Sequence, residues 1–236
     1  MSFESNSVRH VGDLKQADWG GMSKLTFTTK VMPLFGLSLL VAAGGVMGGL
    51  QILASLGRGT GMIVLIVALI AELGLVFTSG MWQQKEGLNK VLFFTYALLS
   101  GMTLVPLLMW AGAAGGLGMI AQALTVSAVT FGGLAFYGMT TKRDFSSLGG
   151  FIFIACLALF VGGLFNIFFQ SSIFSLIASI AGVGIFSAFT VYEMNMIRNH
   201  YTDDQYVGAA LGLLIAFIGL FQSVLRLFGI AGSSDD

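Results

Sequence analysis

The sequence predicts an all-α integral membrane protein, a bundle of seven transmembrane helices, and three observations carry that expectation. Hydrophobic residues make up 56% of the chain and charged residues only 9%. With a mean hydropathy of +0.90, this lies outside the composition of soluble globular domains. The apolar residues gather into runs long enough for a helix to cross the bilayer, which needs about 20 residues. The breaks between the runs are short and glycine-rich, polar or basic, so consecutive helices must lie antiparallel as neighbours.

In chain order, residues 1–24 are polar and mixed in charge and lack the basic start, apolar core and small-residue cleavage site of a secretory signal. They read as a cytoplasmic N-terminal tail. The transmembrane domain, residues 25–229, divides into Val31–Leu53, Met62–Trp82, Val91–Ala111, Met119–Met139, Phe151–Gln170, Ile173–Ile197 and Val207–Gly229. The intervening breaks are Gly57-Arg58-Gly59, Gln83–Lys90, Gly112–Gly118, Thr140–Gly150, Ser171-Ser172 and Arg198–Tyr206, and residues 230–236 form a short C-terminal tail.

Basic residues set the orientation. Arg9, Lys15, Lys24, Lys30, Lys85, Lys90, Lys142, Arg143 and Arg198 fall on the side of the N-terminus, and only Arg58 and Arg226 fall on the other. The N-terminus is therefore expected in the cytoplasm and the C-terminus outside. Glycines recur inside the spans; Gly44 with Gly48 and Gly45 with Gly49 have the small-xxx-small spacing that lets helix backbones approach where lipid removes the hydrophobic drive.

Eleven basic and eleven acidic residues cancel, which leaves no field to attract nucleic acid. The single cysteine, Cys156, lies in an apolar run and reads as a buried small hydrophobe. His10 and His200 lie outside the spans without metal-ligand spacing, every aspartate lies in a tail or loop, and no phosphate-binding glycine loop is present. No enzyme constellation and no cofactor are therefore expected.

What remains is a pair of carboxylates in a membrane. A charge in hydrocarbon costs a few kcal/mol or more, so an intramembrane acid is by default a functional candidate. Glu72 falls near the middle of the second span, and Glu193 about one turn inside the cytoplasmic end of the sixth. The structural alternatives are an interhelical hydrogen bond for Glu72 and an interfacial carboxylate reaching water for Glu193. Arg226 reads as snorkelling to the outer surface. Asn166, Asn195, Gln122 and Gln222 offer amide ligands or interhelical hydrogen bonds.

Five stretches in order carry a family resemblance: Ala71–Phe77; Ser100–Pro106; Thr141-Lys142-Arg143-Asp144-Phe145-Ser146; Phe186 to Asn195, with Tyr192-Glu193-Met194-Asn195; and Leu225-Arg226-Leu227-Phe228-Gly229. With these the chain resembles the Bax inhibitor family, the transmembrane Bax inhibitor motif proteins, and in particular its bacterial members, in the cell's inner membrane. The resemblance implies a seven-helix bundle with the last helix central. It also implies a pH-sensitive calcium leak governed by an acidic pair, one acid on the sixth helix and one on the last. Glu193 stands at the first position and, with Glu72, forms the ion pathway or pH sensor; Asn195, Asn166 and Tyr192 are supporting polar residues, and Ca²⁺ is cargo rather than cofactor. At the second position this chain has Ala216, which reduces the pair to one acid. The alternative implied by the same resemblance is a regulator that transports nothing and binds other membrane proteins, for example a membrane-anchored protease.

Overall fold

The computed structural model describes residues 19–169 and 171–232. Among them there is no β-strand, and the chain folds into α1 (Lys24–Phe77), α2 (Ser79–Trp82), α3 (Leu88–Thr140), α4 (Gly149–Phe169), α5 (Ser172–Asn199) and α6 (Tyr206–Gly232). All but α2 include a stretch long and apolar enough to cross a membrane, so the protein is a multi-pass helical membrane protein. Of the expected tails, residues 1–18 and 233–236 lie outside the described residues.

The helix ends follow local chemistry. Ser23 caps α1, its hydroxyl accepting from the Thr26 amide at 3.2 Å, and Ser171 caps α5 through the Phe174 amide. Before α6, Thr202 and Gln205 form a reciprocal capping box, with Asp203 and Asp204 in the same turn where the helix dipole favours negative charge. A π-helical turn, Phe27–Val31, extends α1 seven residues before the Val31 start expected from hydropathy.

At 54 and 53 residues, α1 and α3 would each reach ~80 Å if straight, far beyond the ~30 Å hydrocarbon core. Neither is straight. Gly57 (φ 73°, ψ 167°) and Gly116 (φ 69°, ψ −170°) leave helical geometry in mid-run, a left-handed φ that costs glycine nothing. Gly61 packs directly against the Leu53 side chain, although eight residues of continuous helix would hold them ~12 Å apart. The sequence placed loops at Gly57–Gly59 and Gly112–Gly118; the backbone instead reverses at one glycine in each, because a single positive φ suffices to break the ladder.

The packing explains which glycines matter. The first part of α1 crosses α3 where Gly45 lies against the Leu98 carbonyl and Gly101 against Ala42, and Gly49 meets Met102 and Val105. Gly44 and Gly48, one position away on the helix, have nothing within 4 Å of where a Cβ would stand. The core is α6: 72% of its most apolar window is buried, against 6–39% in the other long helices. It runs antiparallel to α5 in a knobs-and-notches register, with Phe186 seated over Gly219 and Gly182 against Ser223.

One end of the bundle gathers residues 19–30, 82–90, 139–149 and 195–208, tied by Gly21 N–H to Arg198 O (2.8 Å), Met22 N–H to Ile197 O (3.1 Å) and Ser23 to Asp203 (2.7 and 2.9 Å). The opposite end holds Trp110 against Gly229 and Met119 near Gly232. The last residues of the segment read as a tail therefore form a strap over the bundle, with Met22 fully buried.

Candidate functional site

Glu193 lies near the end of α5, and four successive residues there turn to four different neighbours, as 100° steps around a helix require. Tyr192 packs beside Gly149 of α4. Glu193 turns to α6. Met194 lies against Gly138 of α3, and Asn195 turns to the loop after α3, accepting from Phe145 N–H (3.1 Å) and donating to Arg143 O (2.9 Å). An apolar helix face would have one buried side. This end of α5 has neighbours on four sides.

The Glu193 side chain is 3% exposed. The structural alternative offered by the sequence, an interfacial carboxylate reaching water, does not hold: the structure buries Glu193, because the chain folds back over it. His200 and Tyr201 both donate their amides to Met196 O at 2.8 Å, ending α5 in a tight turn that returns Tyr201 to the level of Glu193. The Tyr201 hydroxyl donates to Oε1 of Glu193 at 3.0 Å. Burial, and after it the charge of Glu193, holds the Tyr201 phenol above its ordinary range, so it remains a donor. On α6 the carboxyl sits in the notch left by Gly212: a Cβ there would overlap it. Ala216, one turn further along α6, is fully buried. No cation pairs with Glu193 among the described residues, and no group of three or more His, Cys, Asp or Glu there could hold a metal.

Glu72 occupies a second place. It is partly buried on the later half of α1, with the Thr103 hydroxyl of α3 donating to Oε2 at 2.8 Å and the buried Tyr96 beside the same carboxyl. The two acids share no partner. Asn166 lies at the far end, where its amide joins Ser175 Oγ (2.7 Å) and Ser171 N–H (3.0 Å) and fixes the turn between α4 and α5. Asn195 staples the loop between α3 and α4, and Tyr192 is half-buried on the α4 side. Of the residues singled out in the sequence, none joins Glu193 at its carboxyl. Its partners are Tyr201 and Gly212, both passed over: Tyr201 stands in a loop whose return path no periodicity reveals, and Gly212 is one glycine among 33.

This geometry defines a class, that of multi-pass helical membrane proteins whose buried carboxylates are held between helices. The chain belongs to the Bax inhibitor family, since residues 24–233 match the model described as "Inhibitor of apoptosis-promoting Bax1". A protein of Helicobacter pylori strain J99 is 31% identical over 235 residues, 99% of this chain and 95% of the relative. The inner membrane protein YbhL of Escherichia coli strain K12 is 32% identical over 182 residues, 72% of this chain and 76% of YbhL. The Golgi anti-apoptotic protein of Vaccinia virus strain Lister is 27% identical over 169 residues, 72% of this chain and 70% of the relative.

Proposed function

We propose that the protein is a pH-influenced passive leak for cations, calcium foremost, gated at Glu193. One observation carries the reading: a carboxyl enclosed between α5 and α6 is held by a single hydroxyl from the loop that caps it. A carboxylate only accepts hydrogen bonds, whereas a carboxylic acid also donates, so a proton on Glu193 changes what the Tyr201 loop can hold. Glu72, with Thr103 and Tyr96, is a polar station further along the bundle. The protein acts without a cofactor, and Ca²⁺ is its cargo.

The reading takes the bundle as seven spans, counting α1 and α3 as two each on either side of Gly57 and Gly116. The N-terminus is cytoplasmic, as the basic residues ask, and the C-terminus is outside; YbhL's description as an inner membrane protein supports the same membrane for this chain. Calcium entry into liposomes holding the purified protein, followed from pH 5 to 8, tests the leak. A protein-dependent flux whose pH profile changes in Glu193→Gln is expected. Flux equal to that of empty liposomes at every pH would overturn it.

Ala216 at the position of the second acid favours one other reading, a non-transporting regulator of membrane proteins, in keeping with the anti-apoptotic name of the viral relative. Such a regulator, engaging a membrane-anchored protease for instance, would show no flux in the same liposomes and would co-purify with its partner from native membranes.

A further inference from the structure

We propose that an open groove at the basic end of the bundle binds the phosphate headgroup of an anionic phospholipid. The groove, of about 440 Å³, lies between the start of α1, the end of α3 and the end of α5. Its floor is cationic and its wall is apolar. Arg198 and Lys24 bring positive charge to it, Trp19, Phe27, Phe136 and Met139 supply the wall, and among the described residues neither Asp nor Glu lines it.

Arg198 is the anchor. Nη1 donates to Met139 O at 2.8 Å and to Thr141 O at 2.7 Å, the last carbonyls of α3, where a cation is favoured by the helix dipole. These bonds pin the guanidinium: both acceptors are backbone carbonyls, no carboxylate pairs with it among the described residues, and Nε is buried with no hydrogen bond there. A guanidinium fixed beside a cavity is matched to phosphate, which it engages through planar, charge-assisted bonds.

The wall selects a lipid over a free anion. Phe136 is 69% exposed, and a small phosphate on Arg198 would leave Phe136 and Met139 uncovered. A phospholipid covers both, with its headgroup on the cations and an acyl chain along the aromatic wall. Trp19 also lines the groove, and tryptophan is a residue that membrane interfaces favour. The rest of this end suits an anionic leaflet: Lys30 and Lys90 flank the Tyr206 ring at 5.1 and 5.9 Å, and Lys142 and Arg143 lie in the adjoining loop.

Native mass spectrometry of the full chain in detergent, titrated with phosphatidylglycerol or phosphatidylcholine, tests the site. The wild type should retain one phosphatidylglycerol with an affinity about tenfold above that for phosphatidylcholine, and Lys24→Gln and Arg198→Gln should each remove most of that preference, a tenfold loss corresponding to ~1.4 kcal/mol. Thr28→Phe, which fills the groove and keeps both charges, should lower lipid retention without the loss of Arg198 bonds that complicates Arg198→Gln. Lys142→Gln should leave retention unchanged. Equal retention in the wild type, Lys24→Gln and Thr28→Phe would overturn the site. Displacement of the lipid by millimolar glycerol 1-phosphate would overturn the lipid assignment in favour of a soluble anion.

Discussion

A single hydroxyl, that of Tyr201, bonds the buried Glu193 carboxyl, and the Tyr201→Phe and Glu193→Gln variants separate that bond from the ionisable group. Removing the hydroxyl leaves a buried carboxyl without its partner, at a cost of ~1–3 kcal/mol, so Tyr201→Phe should melt several degrees below the wild type. Glu193→Gln keeps an acceptor for Tyr201 and removes the ionisable group, so it should melt near the wild type and, if the proposed leak exists, lose the pH dependence of its flux. Equal melting of Tyr201→Phe and the wild type would show that the hydroxyl bond contributes nothing to the fold.

A second residue-scale effect belongs to the loop between α3 and α4. The Ser146 backbone amide foremost (2.9 Å), and then His200, hold the Asp144 carboxyl below its usual range. Because the folded value is depressed, this stabilisation is present above the unfolded value of ~3.9 and is lost as pH falls through the folded one. Protection of the Ser146 amide from exchange, relative to its intrinsic rate at each pH, should fall as the pH drops below the unfolded value and through the depressed folded one, and Asp144→Asn should abolish that acid-dependent loss.

At the scale of elements, helix association in lipid depends on close approach rather than on hydrophobic burial. Gly45 and Gly44 are neighbours in sequence and opposites in packing. A side chain at Gly45 would run into the Leu98 backbone, whereas one at Gly44 meets nothing within 4 Å. Gly45→Leu should therefore cost at least ~1–3 kcal/mol by overpacking, and Gly44→Leu should be nearly neutral, as compared by thermal unfolding in detergent. The small-xxx-small spacing identified both pairs in the sequence. It did not choose between them, because the choice depends on which face of α1 meets α3.

For the whole molecule, the strap at residues 19–23 joins the beginning of the chain to the cap over Glu193. Met22 is fully buried, and the strap bonds to Ile197, Arg198 and Asp203, on both sides of Tyr201. Compared with a chain lacking residues 1–18, one lacking residues 1–23 should melt lower and exchange its Tyr201 amide faster. If both truncations melt alike, the strap does not hold the cap.

The sequence by itself determined the helical membrane class, the main apolar segments, the family and the two intramembrane acids. Each rests on composition or local pattern: a span must be apolar along its whole length, and a carboxyl within it stands out. The resemblance had the last helix central, as α6 is, but only the tertiary structure decided that α1 and α3 reverse at single glycines and that Glu193 and Glu72 have separate surroundings. It also placed Tyr201 on Glu193, Gly212 beneath it and Arg198 beside an apolar groove. These are contacts between segments far apart in the chain or across a tight turn, and residue type alone carries no record of which neighbours folding brings together.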